Sequence, residues 1–496
     1  MALIPGRPVD CISLKALVDK GNNRVIFVEA DEDFVDVLLS FLTMPMGTII
    51  KLIRSKPPTL GIGCMNNLYE SVENLDVQQL QTKECKTMLL NPKNAVAAEC
   101  KRLKINIDEP HKYFICDRKN CTLFSYKLVS HYKDINCVCG GTIASEIELF
   151  EKVQLQERDL DARDNGAFVK GLTRFIISDE LEIMPASYKA SLSLLSKLGV
   201  IDRTAVEECN FNVGVDEVLT LLKCSLLSNM PLTETLLKHN PVPELGRVDF
   251  DQGNYVKSRM KKPASNVNGK FLVKLVVSKS KNMVCFAEAS EDFVNLLFSF
   301  LTVPLGCIVK EMHSGTSKGC ITRLYNSVKE LDAKQYLKSS KHKEMLLSPK
   351  LAPNFSYENH PLGVKENKHP LYYHAENRRG YKCVTTDKTD ISSKELKVST
   401  LIVVDPKCGV EQTTSGGGFV TRPAKFTVTD NLVITPLSPV SCLSLLNKMK
   451  VLLSDVEERF VHVGTEEALR LLVASFVLSL SVTLTYFSLL KVNGKN

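Results

Sequence analysis

The sequence contains no HExxH, no GxSxG and no protein-kinase signature set. Those absences remove zincin hydrolysis, α/β-hydrolase acyl transfer and kinase chemistry from the candidates. A dinucleotide fingerprint is missing too. Gly61-x-Gly63 has no third glycine, Asn66 follows, and the matching later stretch reads Gly315-Thr316-Ser317-Lys318-Gly319. A plain turn explains it, as it explains Ser415–Gly418. The first ten residues hold Pro5, Gly6 and Pro8 in place of a charged segment followed by an apolar one. No secretory leader is therefore expected, and the expected location is cytoplasmic or nuclear. There the 16 cysteines are read as thiols or metal ligands, not disulfides. Single-sign charge is also scarce: 63 basic residues stand against 56 acidic, a net +7 over 496 residues. Dedicated nucleic-acid binders concentrate positive charge in a patch.

What is present is ordinary globular composition, 44% hydrophobic and 24% charged, which excludes wholesale disorder. It is arranged as a repeat. Residues 25–51 and 284–310 align at a constant shift of 259 and agree at 17 of 27 positions. MLLNPK at 88–93 matches MLLSPK at 345–350, and LSLLSK at 192–197 matches LSLLNK at 443–448. The period is too long for a solenoid, whose repeats run roughly 20–50 residues. We therefore expect a tandem duplication of one mixed α+β unit: residues 1–240, a solvated linker over 241–270, and residues 271–496.

Within one unit, Leu14–Val18 and Val25–Glu29 flank Gly21-Asn22-Asn23, a hairpin signal. Asp31–Asp33 opens a helix whose apolar stripe is Phe34, Leu38, Phe41 and Leu42. Thr48–Ile53 reads as a short strand, Met65–Leu75 as a helix, and Phe168–Ile177 with Leu181–Ile183 as paired strands. Ser187 fits a helix N-cap, and Val215–Leu227 is another helix. Interleaved strands and helices without a βαβ series favour α+β.

The blocks SLKALVDK at 13–20 and EDFVDVLLSFLTMPMGTI at 32–49, the cysteine segment below, and LLKCSLLS at 221–228 resemble the plant domain-of-unknown-function 674 family over nearly the whole chain. The resemblance implies a duplicated architecture. It implies no activity, substrate or catalytic residue.

One segment carries chemistry. Cys116-x4-Cys121 is followed by Cys137-x-Cys139-Gly140-Gly141. Two thiol pairs on short loops can close a tetrahedral thiolate site, for which Zn²⁺ is the natural occupant. The spacing resembles a zinc ribbon over 111–143, carried by strands at Tyr113–Ile115 and Leu123–Val129, although the second pair has one intervening residue where a ribbon has two. Four thiols with no metal is the bland alternative. His111 and His131 are nearby alternative ligands. The matching stretch Tyr372–Gly409 keeps Cys383 and Cys408-Gly409, with His374 as a substitute, and is read as having lost the site. One structural zinc per chain is the expectation.

The recurring carboxylates Glu29, Glu32 and Asp33, matched by Glu288, Glu291 and Asp292, are read as helix-end charges before acid–base groups. Leu471–Leu490 has no charge over twenty residues and could span a bilayer. Its counterpart at 221–240 is interrupted by Lys223, Pro231 and Glu234, so a buried helix is preferred over an anchor. The functional expectation is a non-enzymatic interaction scaffold with a protein partner and a structural zinc. The alternatives are nucleic-acid binding by the ribbon, with Lys101, Arg102, Lys104, Lys112, Arg118 and Lys119 around it, and an enzyme using a cleft between the copies.

Overall fold

The structure is a computed structural model. It describes residues 11–56, 61–116, 118, 121, 127–150, 166–200, 203–238, 271–312, 319–357, 360–377, 382–388, 396–408 and 417–477. The first half runs β1 (Ile12–Asp19), β2 (Arg24–Ala30), α1 (Glu32–Ser40), α2 (Met46–Arg54), α3 (Met65–Asn74), α4 (Lys83–Leu90) and α5 (Ala97–Cys100). It continues with β3 (Tyr113–Cys116), β4 (Lys127–Ser130), β5 (Ile135–Asn136), β6 (Thr142–Ile147), β7 (Phe175–Ser178) and β8 (Ile183–Pro185). It closes with α6 (Tyr188–Lys197), β9 (Val206–Val213), α7 (Val215–Leu227) and α8 (Pro231–Leu236).

The second half runs β10 (Phe271–Ser278), β11 (Met283–Ser290), α9 (Glu291–Ser299), α10 (Leu305–Glu311), α11 (Ile321–Glu330) and α12 (Ser340–Leu347). Then come β12 (Tyr372–Asn377), β13 (Lys382–Thr385), β14 (Leu396–Val403), β15 (Lys425–Thr429), β16 (Ile434–Pro436), α13 (Pro439–Lys448), β17 (Val456–Val463) and α14 (Thr465–Val477). The class is mixed α/β with three sheets.

Two five-stranded antiparallel sheets have the same design. Their orders are β8-β7-β2-β1-β9 and β16-β15-β11-β10-β17. Even the register break in the leading hairpin recurs, at Leu17/Val18 and at Val276/Val277. Helices α1 and α9 bury Phe34, Leu38, Phe293 and Leu297 completely, which is the apolar stripe read from the sequence. Ser187 caps α6 by accepting the Ala190 N–H at 3.2 Å.

The stretch Thr48–Ile53 is helical, not a strand. Met46, Ile49, Ile50 and Ile53 are buried and recur at i, i+3, i+4 and i+7, the helical period that outweighs β-branching. Pro45 is the N-cap of this helix. Gly47 is needed there because a Cβ would lie 2.7 Å from the Leu89 carbonyl oxygen, and Gly306 meets the Leu346 carbonyl at 2.9 Å in the same place. The Phe168–Ile177 strand is shorter than expected and begins at Phe175.

The halves contact one another reciprocally. Ile183 N–H donates to Ser327 Oγ at 2.9 Å, and Ile434 N–H donates to Ser71 Oγ at 2.9 Å. Cys64 N–H reaches the Ser475 carbonyl as Cys320 N–H reaches that of Ser225, both at 2.9 Å. Gln81 N–H pairs with the Phe419 carbonyl and Lys338 N–H with that of Phe168, again at 2.9 Å. One continuous apolar cluster takes residues from both halves, including Phe41, Val72, Phe300 and Val328. A third sheet, β13-β12-β14-β4-β3-β6-β5, joins them a second time, through the parallel pair β14/β4.

Among the described residues no helix is long and apolar enough to cross a membrane. The uncharged run at 471–490 enters α14, where Leu471, Leu472 and Phe476 are buried. Its remainder, from 478, lies outside the described residues, as does the expected linker at 241–270.

Candidate metal centre

The four cysteines converge at one end of the third sheet. Strand β3 is buried along its length and ends on Cys116, where the register with β6 shifts between Ile115 and Cys116. Cys121 sits in a tight turn, its N–H donating to the Arg118 carbonyl at 2.9 Å. The other pair lies in the β5–β6 hairpin. Cys137 N–H donates to the Gly141 carbonyl at 2.8 Å, and Gly140 N–H to that of Cys137 at 2.9 Å. Gly140 has φ +73°, a left-handed conformation that costs glycine nothing. The Arg118 side chain packs over this turn and donates to the Cys139 carbonyl at 3.3 Å. Of the expected ribbon strands, β3 covers Tyr113–Ile115, while β4 (Lys127–Ser130) takes in only the last three residues of the expected Leu123–Val129, whose first four lie outside the described residues.

The sulfurs pair across the two loops. Cys116 Sγ is 3.6 Å from Cys139 Sγ, and Cys121 Sγ is 3.5 Å from Cys137 Sγ. All four lie within 4.8 Å of one another, with Cys139 half-buried and the rest buried. A disulfide needs about 2.05 Å. Four thiolates about 2.3 Å from a tetrahedral ion sit roughly 3.8 Å apart. The set is thus close enough to hold a metal ion. Four thiolates around one ion would make a closed site with no position left for substrate.

The thiols differ electrostatically. Burial raises Cys121, and its sulfur neighbours Cys137, Cys139 and Cys116 raise it further. Burial likewise raises Cys137. Burial alone would raise Cys139, but the Gly141 N–H and the thiols of Cys137, Cys116 and Cys121 outweigh it and bring it to about 7. Of Cys121, Cys137 and Cys139, the last is the one poised to lose a proton first, and a bound cation would draw off the others.

Neither histidine alternative joins the cluster. His111 and His131 instead face one another at 5.8 Å between ring centroids, and His131 stacks on His369 of the second half at 6.1 Å. Cys383 is buried on β13 and Cys408 is half-buried. Among the described residues, no second group of ligating side chains converges.

Other sequence candidates are consumed structurally. Ile62 N–H donates to Asn66 Oδ1 at 3.0 Å, so the Gly61–Gly63 stretch is a turn closed by its own asparagine. Asp33 pairs with Lys104 at 3.0 Å, Glu288 with Lys274 at 2.9 Å, and Glu291 and Asp292 with Arg422. Sequence reasoning missed a buried carboxylate, Asp36, on the apolar side of α1. Its Oδ1 accepts the Phe168 and Val169 N–H groups at 2.9 Å, and its Oδ2 accepts that of Ala167. The one available signal was a charged residue interrupting an apolar block, with Asn295 opposite it in the alignment.

No curated protein and no solved structure matches this chain. Residues 9–466 match the family described as "Protein of unknown function (DUF674)", so nearly the whole chain belongs to the DUF674 family.

Proposed function

We propose that this chain is a duplicated, non-enzymatic interaction scaffold whose first half carries one structural zinc at Cys116, Cys121, Cys137 and Cys139. The observation that carries the metal reading is the set of four sulfurs within 4.8 Å of one another on two short loops. Zinc suits four thiolates, and four protein ligands leave no site for a reacting water. The ribbon so held belongs to the sheet that joins the halves through β14 and β4. A metal there stiffens the join rather than a peripheral loop.

Duplication is supported by the matched sheet orders and by the recurring register break. The scaffold reading is further supported by what the polar candidates do instead of catalysis. Ser339 and His342, 2.8 Å apart, are a helix N-cap and a residue one turn on. Lys104 and Lys112 near the ribbon are paired with Asp33 and Glu146, which weakens the nucleic-acid alternative.

Elemental analysis of the full-length protein tests the metal, with Cys137→Ser and Cys139→Ser beside it. About one zinc per chain, lost in both variants, is expected. A zinc-free parent purified with zinc present would sink the metal. Salt-dependent binding to mixed DNA or RNA would replace the scaffold reading with nucleic-acid recognition.

A further inference from the structure

A cleft of about 260 Å³ lies beside the start of β3, away from the cysteines, lined by residues that include Asn91, Lys93, Phe114, His131 and Tyr132. An inner cavity of about 30 Å³ shares Lys93, His131 and Tyr132 with it and is closed by second-half residues, among them Asn354 and Val404. The inner space holds a water or two; the outer one suits a small metabolite.

The polar groups of these walls are under-used. Tyr132 is 7% exposed, and its hydroxyl has no hydrogen-bond partner among the described residues. The same holds for His131 Nδ1 and His111 Nε2, both buried. Lys93 makes no hydrogen bond or ion pair among the described residues. Its ammonium rests only over the Tyr132 ring, 5.9 Å from the centroid. Two carboxylates lie near it. Glu109 is held by Lys51 at 2.6 Å and Asn91 at 2.7 Å, and Asp108 is a half-buried acid accepting the Glu109 N–H. At the rim, Lys133 adds a further positive charge, while Lys112 is paired with Glu146 at 3.3 Å. Buried polar groups without partners are uncommon and ask for a ligand or water.

The state of the histidines sharpens the chemistry. Burial, together with the charge of Lys93, pushes His111 down to about 3. Burial, with His369 and Lys93, pushes His131 down to about 4. Both are neutral at pH 7. In a neutral imidazole one nitrogen donates and the other accepts, and His131 Nδ1, without a partner among the described residues, is open to the accepting role. A cation and a neutral acceptor thus share one wall.

We propose that this cleft binds a small oxyanion that also carries a hydroxyl, the oxyanion on Lys93 and the hydroxyl donated to His131 Nδ1. Hydrogen phosphate and 2-hydroxycarboxylates share that chemistry. The site does not depend on zinc.

Calorimetric titration of the full-length protein at pH 7 and fixed ionic strength, with inorganic phosphate, malate and acetate as probes, tests this. Phosphate or malate should bind, and Lys93→Met, which keeps the stem and removes the charge, should weaken that binding at least tenfold. Phosphate alone would identify a phosphoryl group; malate alone would identify a carboxylate. Acetate binding as tightly as malate would remove the hydroxyl contact and overturn the proposal as stated. So would equal binding to parent and Lys93→Met, or no binding to the parent. Should the variant fail to fold, amine-reactive labelling of Lys93 in the parent decides instead: protection by phosphate or malate supports the site, and unchanged labelling rejects it. Titrating a zinc-stripped sample that retains its fold separates this outcome from failure of the metal reading.

Discussion

Helix α1 in the first half and α9 in the second have the same length, stripe and neighbours, yet one buries Asp36 where the other buries Asn295. Both hold the same loop. Asp36 takes three backbone N–H groups with two oxygens, whereas Asn295 takes those of Phe419 and Val420 with one, at 2.7 and 3.0 Å. The ribbons diverge further: four thiols converge in the first half, and among the described residues Cys383 and Cys408 join no such group in the second. The lesson concerns constraint. Sheets and helices that interlock reciprocally, through Ser71 and Ser327 or Pro45 and Pro304, make the same contact in both directions. The side chains that differ, Asp36 against Asn295 and the four thiols, make these hydrogen bonds and sulfur contacts within their own half.

The largest expected effect separates the ribbons. Cys121→Ser or Cys137→Ser should abolish bound metal and lower hydrogen-exchange protection across 113–147, and chelation of the parent should do the same. Exchange that stays unchanged after metal removal would show that the fold, not the ion, holds the ribbon.

Next is the Asp36/Asn295 difference, read through pH. Burial raises Asp36 from 3.8 to about 6, opposed by the N–H groups of Phe168, Ala167 and Val169 and by the charge of Lys338. The folded chain therefore holds this proton more tightly than the unfolded chain. Its contribution to stability is full below pH 3.8, falls as pH rises towards 6, and is flat beyond. A shift of that size corresponds to about 3 kcal/mol. Denaturant unfolding between pH 4 and 7 should lose this falling component in Asp36→Asn and gain one in Asn295→Asp. Parallel pH profiles for parent and Asp36→Asn would refute it.

Ser71→Ala and Ser327→Ala probe the shared frame. Each strands one buried N–H, Ile434 or Ile183, at about 1–3 kcal/mol. The two should cost the same by thermal unfolding. A gap above about 1 kcal/mol would break the equivalence of the halves. The smallest effect is expected from Cys383→Ser: unchanged metal content and a stability loss of about 1 kcal/mol. Loss of metal in that variant would tie the second half to the centre.

Local patterns were legible because they follow from chain geometry. The Leu14–Glu29 hairpin, the α1 stripe, the Ser187 cap and the four-cysteine spacing each need only neighbouring residues to be read. The misreading of Thr48–Ile53 came from weighing β-branched composition above the spacing of Met46, Ile49, Ile50 and Ile53. The Lys93–His131–Tyr132 cleft was not legible. Its walls come from segments far apart in the chain, and no local period brings them together.

The sequence by itself determined the matching stretches at 25–51 and 284–310, most of the elements and which four thiols could share an ion, since periodicity and short-range spacing are properties of a chain. Only the tertiary structure decided that the halves interlock, that their ribbons join one sheet, and that the histidines set aside as spare ligands face a cavity. Those outcomes depend on contacts over 100 residues or more, as between Ile183 and Ser327. Which partner a buried polar group finds is settled by packing, once every competing surface has been buried.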